Sequence, residues 1–330
     1  MASNDRITVV HLVRAFNGIE CFREFLDSYR SAPPGIPCDL LLVMKGFSSS
    51  EETTPYRSLV EELPHRVIAV PDIGFDLGAY FTATASIDSG RLCFLNSFSR
   101  ILVPGWLAKF DAAFQGPGVG LVGATATWGS GLSYALYRLR LPSAYHAVFP
   151  DRRNVWEQFR SIDRDVSGRE PANLLRRRLR ILISLRDIGR QIAWFRTFPG
   201  PFIRTNAFMI EASTLRRLHF PPVRRKVDAF RIESGRRCLT CQVQALGLRT
   251  LVIDRHGAAY EPERWPASRT FWQGDQEGLL VADNVTRVYQ DGDANRRSML
   301  ARLAWGPTAE PSPALESLQP DQPGPRPVTE

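Results

Sequence analysis

Patterns typical of strands and helices alternate through the first part of the chain, and this alternation restricts the possible fold more than any other sequence feature. Short apolar runs of strand length are separated by segments whose apolar residues follow a helical period. The apolar runs span residues 7–13, 39–44, 66–70, 91–95 and 118–124, and the helical segments span 19–29, 56–63, 79–87 and 106–114. Such alternation implies right-handed crossovers, so the sequence predicts an α/β fold with a mainly parallel sheet flanked by helices.

The alternation stops at residue 128. Residues 129–198 do not follow it, and within them residues 173–195 place apolar side chains at helical spacing opposite a row of arginines. This amphipathic basic helix can either pack on its own domain or lie on an anionic membrane surface. The segment therefore reads as a helical basic insertion.

Strand and helix patterns return in the second half of the chain. The sequence predicts a strand at 201–211, a helix at 234–246, a strand at 249–254 and a last ordered segment at 278–289. Residues 307–330 contain many prolines and few large apolar residues, so we expect this tail to be disordered.

The composition narrows the class of protein and its partners. The chain has 330 residues, 44% of them hydrophobic and 23% charged, which is typical of a soluble globular protein with a large core. No apolar run approaches the roughly 20 residues that span a bilayer, and the polar start of the chain does not resemble a signal peptide. The formal net charge of +8 favours an anionic partner: a nucleotide, a nucleic acid or an acidic lipid.

The five cysteines, an odd and sparse set, are typical of a protein of the reducing cytoplasm. Cys238 and Cys241 have the spacing of a redox pair or of half a zinc site. Because neither a second cysteine pair nor a suitably spaced histidine pair accompanies them, we interpret them as two thiols on one helix face.

Polar residues follow two of the predicted strands where each strand ends. Residues 72–78 follow the third strand and lead into a helix, and residues 96–99 follow the fourth. In an open α/β sheet the ligand crevice lies outside the carboxyl ends of the strands. The sequence contains no P-loop, dinucleotide-binding or nucleophile-elbow motif, which argues against those alternative sites.

Five segments carry a resemblance to a known family. They are D-I-G-F-D-L-G-A-Y at 72–80, F-L-N-S-F-S at 94–99, V-G-L-V-G-A-T at 119–125, F-I-R-T-N-A-F-M-I at 202–210 and K-V-D-A-F-R-I-E-S-G at 226–235. In this order they resemble GT-A glycosyltransferases, which use nucleotide sugars, and they are most similar to bacterial enzymes related to family 2 and to rhamnan-synthesis-type proteins. The resemblance covers roughly residues 7–289.

The resemblance implies a GT-A, Rossmann-like fold. Residues 1–128 would form a nucleotide-sugar-binding half, 129–198 the basic insertion, and 199–290 the acceptor and catalytic half of the same domain. Nucleoside contacts are implied in residues 14–17 and 44–47. The residues assigned to the donor are Arg14, Asp72, Asp76, Asn96, Ser97 and Ser99. Asp76 has an alternative role, because a carboxylate in the first turn of a helix can simply cap that helix.

The expected metal-binding carboxylates are missing. GT-A enzymes usually carry an Asp-x-Asp after the fourth strand, where carboxylates hold Mg²⁺ or Mn²⁺ against the diphosphate. This chain has Asn96, Ser97 and Phe98 there instead. A metal could be held elsewhere, by Asp72 or His256; cations such as Arg100 or Lys226 could replace it; or catalysis could be lost. We favour a metal-independent or weakly metal-dependent enzyme.

Transfer with inversion requires a carboxylate that takes the proton of the acceptor hydroxyl. The resemblance places this base in residues 228–235, with Glu233 as first candidate and Asp228 as second. Glu233 could instead be a carboxylate that stabilises a helix start. Candidate contacts to acceptor or phosphate are Arg204, Asn206, Lys226 and Trp265. Arg204 could equally pair at the surface, and Trp265 could close the core.

The sequence thus predicts a cytoplasmic glycosyltransferase, possibly peripheral on the inner membrane through residues 173–195. It would move a sugar from a nucleotide-sugar donor to a bacterial surface-glycan or lipid-linked acceptor. The alternative is a catalytically silent glycan- or nucleotide-binding subunit of a polysaccharide assembly complex. Nucleic acid is not expected as a partner, because the arginines of the basic helix lack interleaved aromatic residues.

Overall fold

The computed structural model describes residues 6–85, 87, 90–130 and 192–309. The described strands are β1 (Ile7–Arg14), β2 (Asp39–Lys45), β3 (His65–Val70), β4 (Arg91–Leu95), β5 (Arg100–Ile101), β6 (Val119–Gly123), β7 (Ala126–Thr127), β8 (Phe202–Ile203), β9 (Ala207–Glu211), β10 (Arg249–Ile253), β11 (Ala259–Tyr260) and β12 (Val281–Ala282). Eight of them form one sheet in the order β11-β10-β6-β9-β4-β1-β2-β3.

Six strands of this sheet run in one direction. β3, β2, β1 and β4 are parallel neighbours, and β6 and β10 point the same way, whereas β9 and β11 are antiparallel to their neighbours. The predicted α/β fold with a mainly parallel sheet flanked by helices is therefore confirmed. The inner parallel strands β1, β2, β4 and β6 have apolar runs that are buried on both faces, whereas β3, at the edge of the sheet, is only partly buried.

Helices cover both faces of the sheet. The described α-helices are α1 (Gly18–Ser31), α2 (Ser50–Ser58), α3 (Phe75–Thr84), α4 (Trp106–Phe114), α5 (Ala212–Arg217), α6 (Lys226–Ser234), α7 (Leu239–Ala245), α8 (Asn284–Gln290) and α9 (Ala294–Trp305). Side chains of α1, α2 and α4 form one core with one face of the sheet, and those of α3, α5, α6, α7 and α9 form a second core with the other. Alternate residues of β1 enter the two cores, as the two-residue repeat of a strand requires: Val9 enters the first and Val10 the second.

The predicted strand at 201–211 is in fact two strands. Residues 202–203 form β8, and residues 207–211 form β9, which lies antiparallel between β4 and β6. The predicted helix at 234–246 also differs: α6 ends before Gly235, and α7 begins after Cys238. A Cβ atom at Gly235 would lie 2.4 Å from the Arg231 carbonyl oxygen, which explains why a glycine ends α6.

β7 and β8 pair antiparallel beside the main sheet, and we call this pair the stem. The Gly200 N–H donates to the Trp128 carbonyl at 2.8 Å, and the Ser130 hydroxyl donates to the Arg196 carbonyl. Residues 128–130 and 196–200, on either side of the segment 131–191, therefore lie next to each other.

Most of the predicted basic helix at 173–195 and most of the tail at 307–330 lie outside the described residues. In the parts of the chain that are described, no helix combines the length and the apolar character needed to cross a membrane.

Candidate functional site

Two cations lie at the ends of neighbouring parallel strands. Arg14 is the last residue of β1 and Lys45 the last of β2, and the register of the two strands places them side by side. Both line an open cleft of about 650 Å³, whose far wall is residues 222–224. We call this the strand-end cleft, and it occupies the carboxyl edge at which the sequence placed the ligand.

Lys45 is held by Asp72, which follows β3. Its Nζ lies 2.5 Å from Asp72 Oδ1, and its side chain is 1% exposed, whereas that of Asp72 is 54% exposed. The Lys45 ammonium, with Arg14 3.6 Å from the same oxygen, lowers the pKa of Asp72 below its usual range. The close approach requires a glycine after β2, because a Cβ at Gly46 would lie 3.1 Å from the Asp72 Cβ.

Asp76 stands in the first turn of α3 on the other side of Arg14, 3.8 Å from its guanidinium. α3 starts after Gly74, whose φ of 76° is in the left-handed region that glycine adopts easily. Burial raises the pKa of Asp76, the carboxylates of Glu233 and Asp72 raise it further, and Arg14 and Lys45 only partly offset this. Asp76 is thus a carboxyl group that burial pushes toward its protonated form, and the carboxylates of Glu233 and Asp72 add to this effect.

Glu233 is brought to Asp76 by the packing of α6 against α3. It lies at the end of α6, not at a helix start as the sequence suggested. Glu233 Oε1 accepts hydrogen bonds from the Thr205 backbone N–H at 2.8 Å and from the Thr205 hydroxyl at 2.9 Å. These two hydrogen bonds orient the carboxylate at the C-terminal end of α6, where the helix dipole disfavours a negative charge. Glu233 Oε2 has no hydrogen bond within the described residues.

Asp228, the other candidate for the base, lies at the start of α6 and contacts the backbone there. It is 6% exposed, and its Oδ2 accepts hydrogen bonds from the backbone N–H groups of Arg225 and Arg224 before α6. Burial would raise the pKa of Asp228, but those N–H groups and the Arg225 side chain lower it below the usual range. These contacts cap the start of α6, and the role of Asp228 as the second candidate for the base stays a prediction.

The residues in place of the Asp-x-Asp form hydrogen bonds with neighbouring protein groups. Asn96 Oδ1 accepts from the Phe98 N–H at 3.1 Å and from the Ser99 hydroxyl at 3.0 Å, and the Ser97 hydroxyl accepts from Asn17 at 2.6 Å. Asn96, Ser97 and Ser99 are all buried. They stabilise a turn after β4 and do not line the strand-end cleft.

The described residues do not fit a divalent cation at this edge. They contain no cluster of three His, Cys, Asp or Glu side chains that could hold one. The oxygens of residues 96–99 are neutral and already hydrogen-bonded, and Asp72 and Asp76 face the positive charges of Lys45 and Arg14. His256, the other candidate ligand, is exposed beyond β10, and four strands separate β10 from β2.

Arg204 and Asn206 are buried in structural contacts. Arg204 donates to Asp283 at 2.8 Å and stacks over Phe271, so its guanidinium is not presented to a phosphate. The side chains of Arg204 and Asp283 are 10% and 1% exposed. Asn206 accepts from Thr125 at 2.6 Å, whereas its Nδ2 has no partner in the described part of the chain.

The remaining candidates lie away from the cleft lining. Trp265 is fully buried and donates to the Tyr260 carbonyl at 3.1 Å, so its ring is not available to a sugar. Lys226 is exposed at the start of α6, over the Phe230 ring, and Arg100 pairs with Glu24.

Two residues of the site, Lys45 and Thr205, were not predicted individually from the sequence. Lys45 falls within the nucleoside contacts expected in 44–47, and Thr205 lies between the candidates Arg204 and Asn206. A lysine that ends an otherwise apolar buried strand is a usable signal, because a charged side chain is rarely fully buried without a partner. Thr205 carries no local signal, since its contact with Glu233 spans 28 residues.

No protein-family model and no curated protein matches this chain. Solved structures give partial matches. A mannosyltransferase from Pyrobaculum calidifontis, solved with GDP-Man and Mn²⁺, is 17% identical over 37% of this chain and 36% of that chain, with a TM-score of 0.32. S. aureus TarS 1–349 with UDP-GlcNAc is 16% identical over 36% of this chain and 33% of that chain, with a TM-score of 0.29. GalNAc-T7 with UDP, GalNAc and Mn²⁺ is 14% identical over 36% of this chain and 22% of that chain, also with a TM-score of 0.29. The match thus spans only 22 to 36% of the length of these three structures.

Proposed function

We propose that this chain is a GT-A glycosyltransferase that moves a sugar from a nucleotide-sugar donor to a bacterial surface-glycan or lipid-linked acceptor, with inversion. One observation carries the proposal: Arg14 and Lys45, at the ends of neighbouring parallel strands, line a single open cleft beside three carboxylates. The carboxylates are Asp72, Asp76 and Glu233.

The strand-end cleft suits a nucleoside diphosphate group. Its volume of about 650 Å³ is in the range of small-molecule sites. Arg14 offers a planar fork of donors and Lys45 a buried point charge, both suited to phosphate oxygens. Asp72, half exposed, can accept hydrogen bonds from ribose hydroxyls.

Glu233 is proposed as the catalytic base, through Oε2. It takes the proton of the acceptor hydroxyl as that oxygen bonds to the anomeric carbon of the donor sugar. The bond between that carbon and the diphosphate oxygen breaks, and its electron pair stays on the diphosphate. Arg14 and Lys45 then stabilise the added negative charge in this metal-independent proposal.

The test is turnover. The protein is incubated with a panel of nucleotide sugars and acceptor glycans, with Mn²⁺, with Mg²⁺ and with a chelator, while released nucleotide is measured. We expect release that persists in the chelator. Binding of a donor by calorimetry without any turnover would overturn the enzyme and support the second candidate.

That second candidate is a catalytically silent nucleotide- or glycan-binding subunit of a polysaccharide assembly complex. It is favoured by the turn at residues 96–99, which has hydrogen-bonded neutral side chains where related enzymes would carry carboxylates. A cytoplasmic location with peripheral attachment to the inner membrane through residues 173–195 remains part of the proposal. Flotation with anionic liposomes at low salt tests it, and failure to co-float contradicts it.

A further inference from the structure

Cys238 and Cys241 lie against each other at the start of α7. Cys238 is the N-cap residue, its Sγ accepts from the Cys241 N–H at 3.4 Å, and the two sulfur atoms are 2.8 Å apart. A disulfide bond is about 2.05 Å long. Only a small side-chain movement would bring the sulfurs to bonding distance.

The two thiols have different surroundings. Cys238 is 1% exposed, whereas Cys241 is half-buried and its sulfur accepts a hydrogen bond from the Arg196 guanidinium. The hydrogen bond from Cys238 lowers the pKa of Cys241 below its usual range, burial opposes this, and Arg196 supports it. The pair therefore has one outer sulfur stabilised as thiolate and one inner sulfur that keeps its proton.

We propose that Cys238 and Cys241 form a redox-active dithiol that exchanges with small disulfides such as glutathione disulfide. The Cys241 thiolate attacks one sulfur of the small disulfide, forms a mixed disulfide and releases one thiolate. Cys238 then loses its proton to solvent, attacks the Cys241 sulfur and releases the second thiolate. Two cysteine thiols are oxidised to one disulfide, and the small disulfide is reduced to two thiols.

The other cysteines offer no comparable arrangement. Cys38 is half-buried like Cys241, but its sulfur lies 3.7 Å from the Tyr29 hydroxyl, and burial raises its pKa. Cys38 is therefore a matched internal control for exposure. The inference also revises the sequence interpretation, which treated Cys238 and Cys241 as two thiols on one helix face.

The test uses the full chain in glutathione redox buffers, followed by acid quenching, alkylation and trypsin. Cleavage after Arg237 and Arg249 gives a peptide, residues 238–249, that contains these two cysteines and no other. We expect this peptide to lose two hydrogens and to resist alkylation as the buffer becomes oxidising, and dithiothreitol to reverse the change. Full alkylation of both cysteines in every buffer would overturn the proposal.

Variants distinguish the roles of the two sulfur atoms. Cys238→Ser should accumulate one glutathione on Cys241, because no second thiol releases it, and Arg196→Met should slow that reaction. In the reduced protein at neutral pH, iodoacetamide should modify Cys241 at least about tenfold faster than Cys38. The pKa of Cys241 is lowered to about 7 and that of Cys38 is raised, and the lower nucleophilicity of the more acidic thiolate offsets only part of the gain in thiolate fraction. Equal rates at Cys241 and Cys38, or a glutathione adduct on Cys238 in Cys241→Ser at the wild-type rate, would contradict the assigned roles.

Discussion

Lys45 and Asp72 join the end of β2 to the segment after β3, with Nζ 2.5 Å from Oδ1 across 27 residues of sequence. The ammonium is buried and the carboxylate is half exposed. A positive charge is thus fixed in the wall of the strand-end cleft, while its partner remains open to a ligand. This arrangement supplies a fixed positive charge to the proposed donor site.

Lys45→Met tests that charge. The substitution keeps most of the length of the side chain and removes its charge, so we expect nucleotide-sugar affinity to fall by about ten- to a hundredfold, the equivalent of one charged hydrogen bond. Calorimetry with the donor measures it. Lys109→Met is the matched control. Lys109 lies on α4, donates a hydrogen bond to the Pro104 carbonyl and does not line the strand-end cleft. Equal affinity in the two variants would remove Lys45 from the site.

Glu233→Gln tests the base. The glutamine oxygen can still accept both hydrogen bonds of Thr205, so folding and donor binding should be retained while transfer falls by about 10² or more. Released nucleotide in the presence of acceptor is the measurement. Asp228→Asn is the comparison: it should lower the free energy of unfolding by about 1 kcal/mol through the weakened cap and leave transfer largely intact. The opposite pattern would make Asp228 the base.

Arg204→Met should destabilise the protein without changing donor affinity. The substitution leaves Asp283, which is fully buried, without its cation, and such losses cost about 3–5 kcal/mol. Urea denaturation measures this. In the double variant Arg204→Met/Asp283→Asn the loss should be smaller than in Arg204→Met alone. Arg249→Met, which breaks the exposed pair with Glu261, should cost at most about 1 kcal/mol. A specific loss of donor affinity in Arg204→Met would restore the predicted phosphate contact.

His11 should make the fold sensitive to acid. Its ring is fully buried against Phe25, with centroids 3.4 Å apart, and neither ring nitrogen has a hydrogen-bond partner among the described residues. Burial lowers the pKa of His11 to about 3, with the Leu95 carbonyl opposing weakly. The unfolded chain binds this proton near pH 6.5, so stability is complete above that pH and falls toward pH 3.

The limiting slope of this loss is about 1.4 kcal/mol per pH unit. His11→Phe should flatten the dependence of unfolding free energy on pH between about 6 and 4, apart from a constant packing cost. His219→Asn, at an exposed histidine, should keep the wild-type slope. A wild-type curve as flat as that of His11→Phe would refute the assignment.

The main strands of the sheet could be predicted from the sequence, because each of them depends on a local pattern of apolar residues. The apolar runs of β1 to β4 and β6 stop abruptly at polar residues, so both the strands and the edge that bears the cleft could be predicted. The insertion of β9 between β4 and β6 could not, because it is a pairing between distant segments.

Only those residues of the candidate site that stand at or just after the end of a strand could be predicted from the sequence. Arg14 lies beside Asp72 and Asp76, since the parallel strands β1 and β3, with β2 between them, end at one edge of the sheet. The pairing of Arg204 with Asp283 could not be predicted, because the two residues lie 79 positions apart in the sequence. The turn at Asn96 could have been predicted locally, because an asparagine side chain followed by serines readily forms hydrogen bonds with the neighbouring backbone.

The stem has a consequence for how this chain can be rebuilt. Because Trp128 and Gly200 are already hydrogen-bonded, the two ends of the segment 131–191 are close together. A short glycine-serine linker could replace that segment at a small cost in loop-closure entropy. We expect the eight-stranded sheet to keep its register in such a variant, because none of its described strands lies between residues 130 and 192.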